Sequence, residues 1–239
     1  MSGCGGATPA SATVAKTYSA TVLADHPVAY WRMDETTGTT MADATGNANN
    51  GHYAGIYTLG QPGAIGGGSA AVAFDGQSGA ASVLSSSSLQ VNTVTIEAWI
   101  NKRADTEYGV YVAKNVEPGG GAGSSWFELL NSHHNGKLEF RVTSDGSPSV
   151  VSNSTLALNT WYYVVATYDG TTAKLYLNGK PDGMLKVSAV PKQTADPLFI
   201  GRRMDGLFND ASLSDVAIYP IALSAERIAA HWQAASGTH

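Results

Sequence analysis

The chain has 239 residues, of which 43% are hydrophobic and 14% are charged, with a net charge of -5. This much apolar side chain excludes a wholly disordered protein, and the lack of any basic run excludes an electropositive face for nucleic acid. A single cysteine, Cys4, excludes an intrachain disulfide and a structural zinc site built on cysteines.

Residues 1–17 are predicted to be a flexible arm, because their small side chains cannot bury enough apolar area to offset chain entropy. An ordered arm would indicate attachment to a second copy or to other proteins. No later stretch approaches the ~20 apolar residues that span a bilayer, so no transmembrane segment is expected. Without a hydrophobic signal segment the chain is predicted to be unsecreted as written, although Cys4 before two glycines is similar to the lipid-carrying cysteine of bacterial lipoproteins.

Residues 18–239 are predicted to form one domain, since all-β domains often reach ~200–250 residues. Residues 18–25 favour a short helical turn that ends before Pro27. The clearest strand covers residues 93–101, where alternate side chains share one face and predict the core. These side chains are Val94, Ile96, Ala98 and Ile100.

Short alternating runs with turn residues between them predict a two-sheet antiparallel β-sandwich. The other predicted strands cover residues 70–74, 80–84, 109–114, 126–130, 137–143, 161–168, 174–178, 198–201 and 212–219. The pairs Asp169-Gly170 and Asn178-Gly179 predict tight hairpins that join the strands between residues 161 and 186.

A helix is predicted near the C-terminal end, with Ser224 as its cap. Its apolar residues recur at the spacing of one helical face, and we expect it to cover a sheet edge or rim. They are Ala225, Ile228, Ala229 and Trp232.

Several phrases occur in an order that resembles one family. They are residues 27–35 (PVAYWRMDE), 43–51 (DATGNANNG), 73–76 (AFDG), 95–100 (TIEAWI), 161–170 (WYYVVATYDG), 175–180 (LYLNGK), 213–219 (LSDVAIY) and 222–228 (ALSAERI). Together they resemble the laminin-G-like, concanavalin A-like lectin/glucanase domains of bacterial and phage surface proteins. The resemblance covers the chain after Tyr18 and implies that the sandwich is a jelly roll.

A calcium site is one implication of this resemblance. The segment 43–51 concentrates side-chain oxygens and glycine, and Ca²⁺ prefers carboxylate and carbonyl oxygens on flexible loops. Similar domains often hold calcium near this loop, with help from the aspartate of the AFDG turn. The alternative is that these side chains only shape turns. The candidate ligands are Asp43, Asn47, Asn50, Asp75 and Asp215, although LSDV at 213–216 lacks an acidic residue that similar domains carry.

Catalytic residues are not evident in the sequence. Glucanases of this fold usually carry Glu-x-Asp-x-x-Glu, and no glutamate here is followed by aspartate two positions later. Carboxylates brought together from distant strands remain an alternative. The pair His133-His134 is interpreted as an exposed turn, and the glycine-rich residues 118–123 as a mobile loop without a phosphate-binding motif.

Aromatic side chains on the strand faces opposite the predicted core could stack on sugar rings. The predicted ligand contacts are Trp126, Tyr108 and Tyr111. Three further aromatic residues, Trp99, Tyr163 and Tyr168, are also expected on a strand face opposite the core. The alternative is that these rings are themselves core residues.

The sequence therefore predicts a non-catalytic surface module. Its composition and arm favour a phage virion component that decorates a capsid or tail and binds a glycan or cell-surface polysaccharide. The first alternative is a secreted or lipid-anchored bacterial carbohydrate-binding protein, located outside the cell or on its surface. The second is a glycoside hydrolase with a carboxylate pair that the sequence does not reveal.

Overall fold

A computed structural model describes residues 17–66, 69–115, 125–133, 135–142, 149–189 and 193–236. Within these ranges no helix is long and apolar enough to cross a membrane. The predicted arm lies outside them, except for Thr17. That residue is the N-cap of the first helix, because its hydroxyl oxygen accepts the backbone N–H of Ala20.

The described residues form an antiparallel β-sandwich with a helix near each end. The helices are α1 (Tyr18–Ala24) and α2 (Ala225–Ser236), with one 3₁₀ turn at Ser87–Leu89. The strands are β1 (Ala29–Trp31), β2 (Thr40–Met41), β3 (Gly51–Ala54), β4 (Tyr57–Pro62), β5 (Ala70–Asp75), β6 (Ala80–Val83), β7 (Val94–Lys102), β8 (Val110–Asn115), β9 (Ser125–Asn131), β10 (Leu138–Arg141), β11 (Ser149–Val151), β12 (Trp161–Tyr168), β13 (Thr172–Leu177), β14 (Lys180–Lys186), β15 (Leu198–Ile200) and β16 (Asp210–Tyr219).

Two sheets face each other across the core. The first sheet has the strand order β14-β13-β12-β7-β16-β5-β4, with β1 also paired to β16. The second has the order β11-β10-β9-β8-β15-β6-β3-β2. Neighbours that are distant in sequence, such as β7 and β16, are typical of a jelly roll, and the predicted fold class is confirmed.

The core lies where alternate residues of β7 point toward the second sheet. Val94, Ile96, Ala98 and Ile100 are all fully buried there, as the alternation predicts. The hairpin between β13 and β14 also has the expected backbone, because Asn178 and Gly179 both have positive φ, 50° and 76°.

The outer face of β7 is covered as well, which the alternation alone does not show. Trp99 is 5% exposed and stacks against Trp232 of α2, with their ring centroids 5.5 Å apart. Both helices contribute to this second apolar cluster. The C-terminal helix therefore packs on the face of the first sheet, rather than on an edge or rim as expected, because that face is itself apolar.

Candidate functional site

The oxygen-rich loop between β2 and β3 is a network of turns. The carboxylate of Asp43 accepts the backbone N–H groups of Tyr30, Thr45 and Asn49 at 3.0–3.1 Å, and also the hydroxyl of Thr45. Asn50 Oδ1 accepts the N–H of Asp43 at 2.8 Å. These oxygens already have hydrogen-bond donors from the chain.

The other candidate calcium ligands make contacts of their own. Asn47 donates its amide to the carbonyl of Val28 at 3.0 Å. Asp75 accepts the N–H groups that follow it. Partial burial opposes its ionisation, but bonds from Ser78, Gly79 and Gln77 outweigh this and lower the pKa of Asp75 to about 2.

The structure does not bring the three predicted aspartate ligands, Asp43, Asp75 and Asp215, together into one group that could hold a metal ion. Among the described residues, no three His, Cys, Asp or Glu side chains are placed to hold a metal ion. The turn-forming alternative accounts for the observed contacts of Asp43 and Asp75. Calcium binding stays a prediction of the family resemblance.

Asp43→Asn tests these two interpretations. The amide would place a donor against backbone donors, so we expect the free energy of unfolding to fall by about 1–3 kcal/mol. The loss should be equal in calcium and in EDTA, measured by urea denaturation. A wild-type melting temperature that rises with calcium and falls with EDTA, and a calcium effect lost in the variant, would instead establish the metal site.

Two of the three predicted sugar-binding aromatic residues belong to the core. Trp126 is 2% exposed and meets Tyr168 of the first sheet edge to face, with ring centroids 6.0 Å apart. Tyr111 is fully buried and donates its hydroxyl to Asn131 Oδ1 at 2.6 Å. The prediction that these rings face outward was wrong, because their strands turn them toward the opposite sheet. Trp99, Tyr163 and Tyr168 are also buried.

Tyr108 is the one chosen aromatic residue with a partly exposed ring. It stacks on the ring of His133 at a centroid distance of 5.7 Å, and the guanidinium of Arg141 lies 5.3 Å from its centroid. A ligand contact at Tyr108 stays a prediction. The neighbouring His134 and the predicted glycine-rich loop at 118–123 lie outside the described residues.

A cavity of about 400 Å³ opens beside the N-terminal helix. Four parts of the chain form its walls: the start of α1, the segment after β1, the connection from β4 to β5, and β16. The lining residues are Thr17, Tyr18, Ser19, Arg32, Asp34, Thr36, Ile65, Gly66, Ser69, Ala70 and Asp215. It thus combines a charged pair, several hydroxyl groups and a small apolar patch.

Arg32 and Asp34 supply the charged pair of this cavity. Their side chains make a 2.8 Å ion pair and are 54% and 40% exposed, so a ligand can reach both. Met33 between them is fully buried, whereas the side chains of Arg32 and Asp34 are both directed to solvent. Met33 has a positive φ of 58°, an uncommon conformation for a side chain of its size.

Asp215 lies in a β-bulge and also lines the cavity. The register of β16 against β7 shifts between Ser214 and Ala217, and Asp215 has a φ of 53°. Its carboxylate accepts the hydroxyl of Tyr30 at 2.5 Å. Burial raises the pKa of Asp215 to about 7, although the Tyr30 bond and Arg32 favour its charged form. Bulges and strained residues of this kind concentrate at functional sites.

A second buried polar cluster lies between the first sheet and the helices. Glu97 of β7 is fully buried and accepts the hydroxyl groups of Tyr18, Tyr163 and Tyr219 at 2.7–2.9 Å. His231 Nδ1 lies 2.9 Å from the same carboxylate. We call these five residues, with Asp25 and Arg227, the Glu97 cluster.

The sequence indicated only part of these two sites. The sequence predicts Asp215 as a metal ligand, and it gives no prediction for Arg32 or Asp34, although both lie in the PVAYWRMDE phrase. Glu97 lies on the strand face opposite the predicted core, so the alternation of β7 gives no sign of its burial. The sequence of α2 does carry a sign of the Glu97 cluster. His231 lies on the apolar side of this helix, beside Ile228, and a buried histidine there predicts a polar partner in the sheet beneath it.

Comparison with known proteins identifies the family of this fold. Residues 74–229 match the model of the concanavalin A-like lectin/glucanases superfamily. No curated protein sequence matches the chain. The structural matches are distant in sequence and indicate the shared fold alone.

Three solved structures illustrate the match. Trypanosoma rangeli sialidase is 15% identical with a TM-score of 0.67, over 88% of this chain and 33% of that one. The binding domain of Paraclostridial mosquitocidal protein 1 is 16% identical with a TM-score of 0.65, over 88% and 52%. The receptor-binding domain of botulinum neurotoxin C/D mosaic serotype is 16% identical with a TM-score of 0.65, over 87% and 51%. The chain therefore spans between a third and about half of these proteins.

Proposed function

Because the chain belongs to the concanavalin A-like lectin/glucanase superfamily, we propose that it is a non-catalytic surface module that binds glycans in the cavity beside α1. The observation that carries this proposal is the accessible Arg32–Asp34 pair above the buried Asp215. A sugar hydroxyl both donates and accepts hydrogen bonds, so adjacent hydroxyls are well matched by an arginine donor beside a carboxylate acceptor.

The size and surface of the cavity favour a short ligand. A volume of about 400 Å³ is near the lower end of the roughly 300–1,000 Å³ typical of small-molecule sites. It suits one or two sugar rings at the end of a glycan. Ile65 and Ala70 offer apolar contact for the C–H face of a ring, while Thr36 and Ser69 add hydroxyl groups.

Two substitutions at the cavity test this function. Arg32→Met and Asp34→Asn should each weaken glycan binding roughly 10- to 100-fold, since each removes charge-assisted hydrogen bonds. Affinity would be measured by calorimetry with a glycan first identified on a broad array. Lys180→Met, an exposed basic residue on the far edge strand β14, is the matched control and should bind as the wild type does.

The results separate the site from the function. Wild-type affinity in both variants would move the binding site away from this cavity, whereas a blank array for the wild type would contradict glycan binding itself.

Glycoside hydrolysis is a second candidate, favoured by one observation. Asp215, a carboxyl whose burial raises its pKa to about 7, lines the same cavity as the exposed Asp34, and glycosidases use an acid and a second carboxylate around the bond they cleave. Release of reducing ends from an array-positive glycan would establish this activity. Its absence at enzyme concentrations equal to substrate supports the binding module.

The proposed location is a virion surface, with residues 1–17 as the attachment to capsid or tail proteins or to a second copy. The low charge of the chain and its resemblance to domains of bacterial and phage surface proteins motivate this location. Detection of the protein in purified particles is the test. Lipid attached to Cys4 would instead favour the bacterial surface protein.

A further inference from the structure

Helix α1 forms one wall of the proposed glycan cavity and is held in place by the Glu97 cluster. Tyr18 lines the cavity with its neighbours Thr17 and Ser19, yet its hydroxyl reaches inward to Glu97 at 2.7 Å. At the other end of the helix, the carboxylate of Asp25 contacts His231 of α2. The position of this wall therefore depends on polar contacts at both ends of a seven-residue helix.

His231 lies between two carboxylates, and this geometry favours its protonated form. Its Nδ1 is 2.9 Å from Glu97 Oε2, and its Nε2 is 3.0 Å from Asp25 Oδ2. An ionised carboxylate only accepts hydrogen bonds, so both ring nitrogens must carry a proton. Only the imidazolium can donate a hydrogen bond to both carboxylates at once. A neutral histidine has one N–H and can donate to only one of them.

Groups from each neighbouring element face this histidine. Tyr219 of β16 and Tyr18 of α1 lie with ring centroids 6.3 and 6.5 Å from the His231 ring, and Tyr163 of β12 shares its partner Glu97. Burial, followed by the charge of Glu97, raises the pKa of all three tyrosines well above their usual value, so their hydroxyls stay neutral. Arg227 pairs with Asp25 at 2.7 Å.

We propose that release of the His231 proton loosens α1 from α2 and so disrupts the glycan cavity, a regulation that rests on the proposed function of that cavity. The neutral ring can donate to only one of the two carboxylates. Glu97 keeps its three tyrosine donors and Asp25 keeps Arg227, so what is lost is one of the two contacts that join Asp25 to α2. Glycan binding should then be strong in mildly acidic solution and weaker in alkaline solution.

The direction follows from the folded-state pKa values. Burial alone would lower the pKa of His231, but its hydrogen bond and charge interaction with Glu97 outweigh burial and raise it. The stabilising contribution of His231 is therefore complete below its unfolded pKa of about 6.5, and it is lost as the pH rises through the folded-state pKa.

Protonation of Glu97 sets the lower end of the pH range in which the helices are held in place. Burial opposes its ionisation, but the bond from His231 outweighs burial and lowers the pKa of Glu97. Its contribution is present above about pH 4.3 and is lost as the pH falls through its folded-state pKa. The attachment of the helices is therefore strongest between these two limits.

Hydrogen–deuterium exchange of the α1 amides, corrected for intrinsic rates, tests the proposal between pH 6 and 9. Opening of α1 should increase by up to tenfold per pH unit above the pKa of His231, while the amides of β7 stay protected. An NMR titration of the imidazole gives that pKa directly, and the exchange midpoint must coincide with it. His231→Gln should show fast α1 exchange at every pH. His52→Gln, an exposed histidine on β3, is the matched control.

Constant α1 exchange in the wild type across the pKa that the NMR titration gives would overturn the proposal, and this measurement does not depend on whether the variant folds. If exchange follows pH but glycan affinity does not, the link between α1 and the cavity is wrong. If no glycan binds at any pH, the proposed function fails, and the exchange experiment still decides whether His231 controls α1.

Discussion

Replacing Glu97 with glutamine should lower the free energy of unfolding by about 3–5 kcal/mol, the usual cost of breaking a buried ion pair by removing one partner. The carboxylate accepts hydrogen bonds from three tyrosine hydroxyls and from His231, all in a space closed to water. Glutamine has one acceptor oxygen for these donors and leaves the imidazolium of His231 without its buried counter-charge.

Urea denaturation measures this loss, and near-ultraviolet circular dichroism reports the packing of Trp99 against α2. Glu226→Gln is the matched control, because it makes the same chemical change on the exposed side of α2 and should leave unfolding almost unchanged. A fall below about 1 kcal/mol for Glu97→Gln would mean that water satisfies the freed donors or that His231 gives up its proton at little cost.

Trp126→Ala should cost a similar amount, about 3–5 kcal/mol, for a different reason. Its ring fills the space between the sheets and meets Phe127 and Tyr168, so its removal leaves an apolar cavity. The folded fraction of this variant should keep any glycan affinity that the wild type has, because the ring does not reach the surface.

Calorimetry and chemical denaturation together check this result. Trp161→Ala, a partly exposed tryptophan on β12, should lose less stability. Normal stability with lost glycan binding in Trp126→Ala would restore the role that the sequence predicts for this residue.

Local patterns predicted much of the sandwich, because strands buried on one side carry their own signal. The predicted strand at residues 161–168 matches β12, and the buried face of β7 follows its alternation. The region of β2, β3 and β4 was not predicted. Tyr57–Pro62 contains both Gly60 and Pro62 and lies at a sheet edge, where the burial that produces a clear pattern is incomplete.

The candidate sites depended on contacts that cross most of the chain. Glu97 and His231 are 134 residues apart, and Tyr30 and Asp215 are 185 apart, so no local spacing joins either pair. Trp126 shows that a local pattern can also give a wrong prediction. Its outward orientation was inferred from strand alternation alone, and the opposing sheet decided where the ring lies.

The two helices lie side by side on one face of the first sheet, joined by the Arg227–Asp25 ion pair, although one opens the described domain and the other closes it. This neighbourhood makes the fold suited to circular permutation. A short linker could join the helices, and the hairpin at Asp169-Gly170 offers an exposed place for new termini. The same geometry would let the domain be inserted into a surface loop of another protein as a self-contained unit.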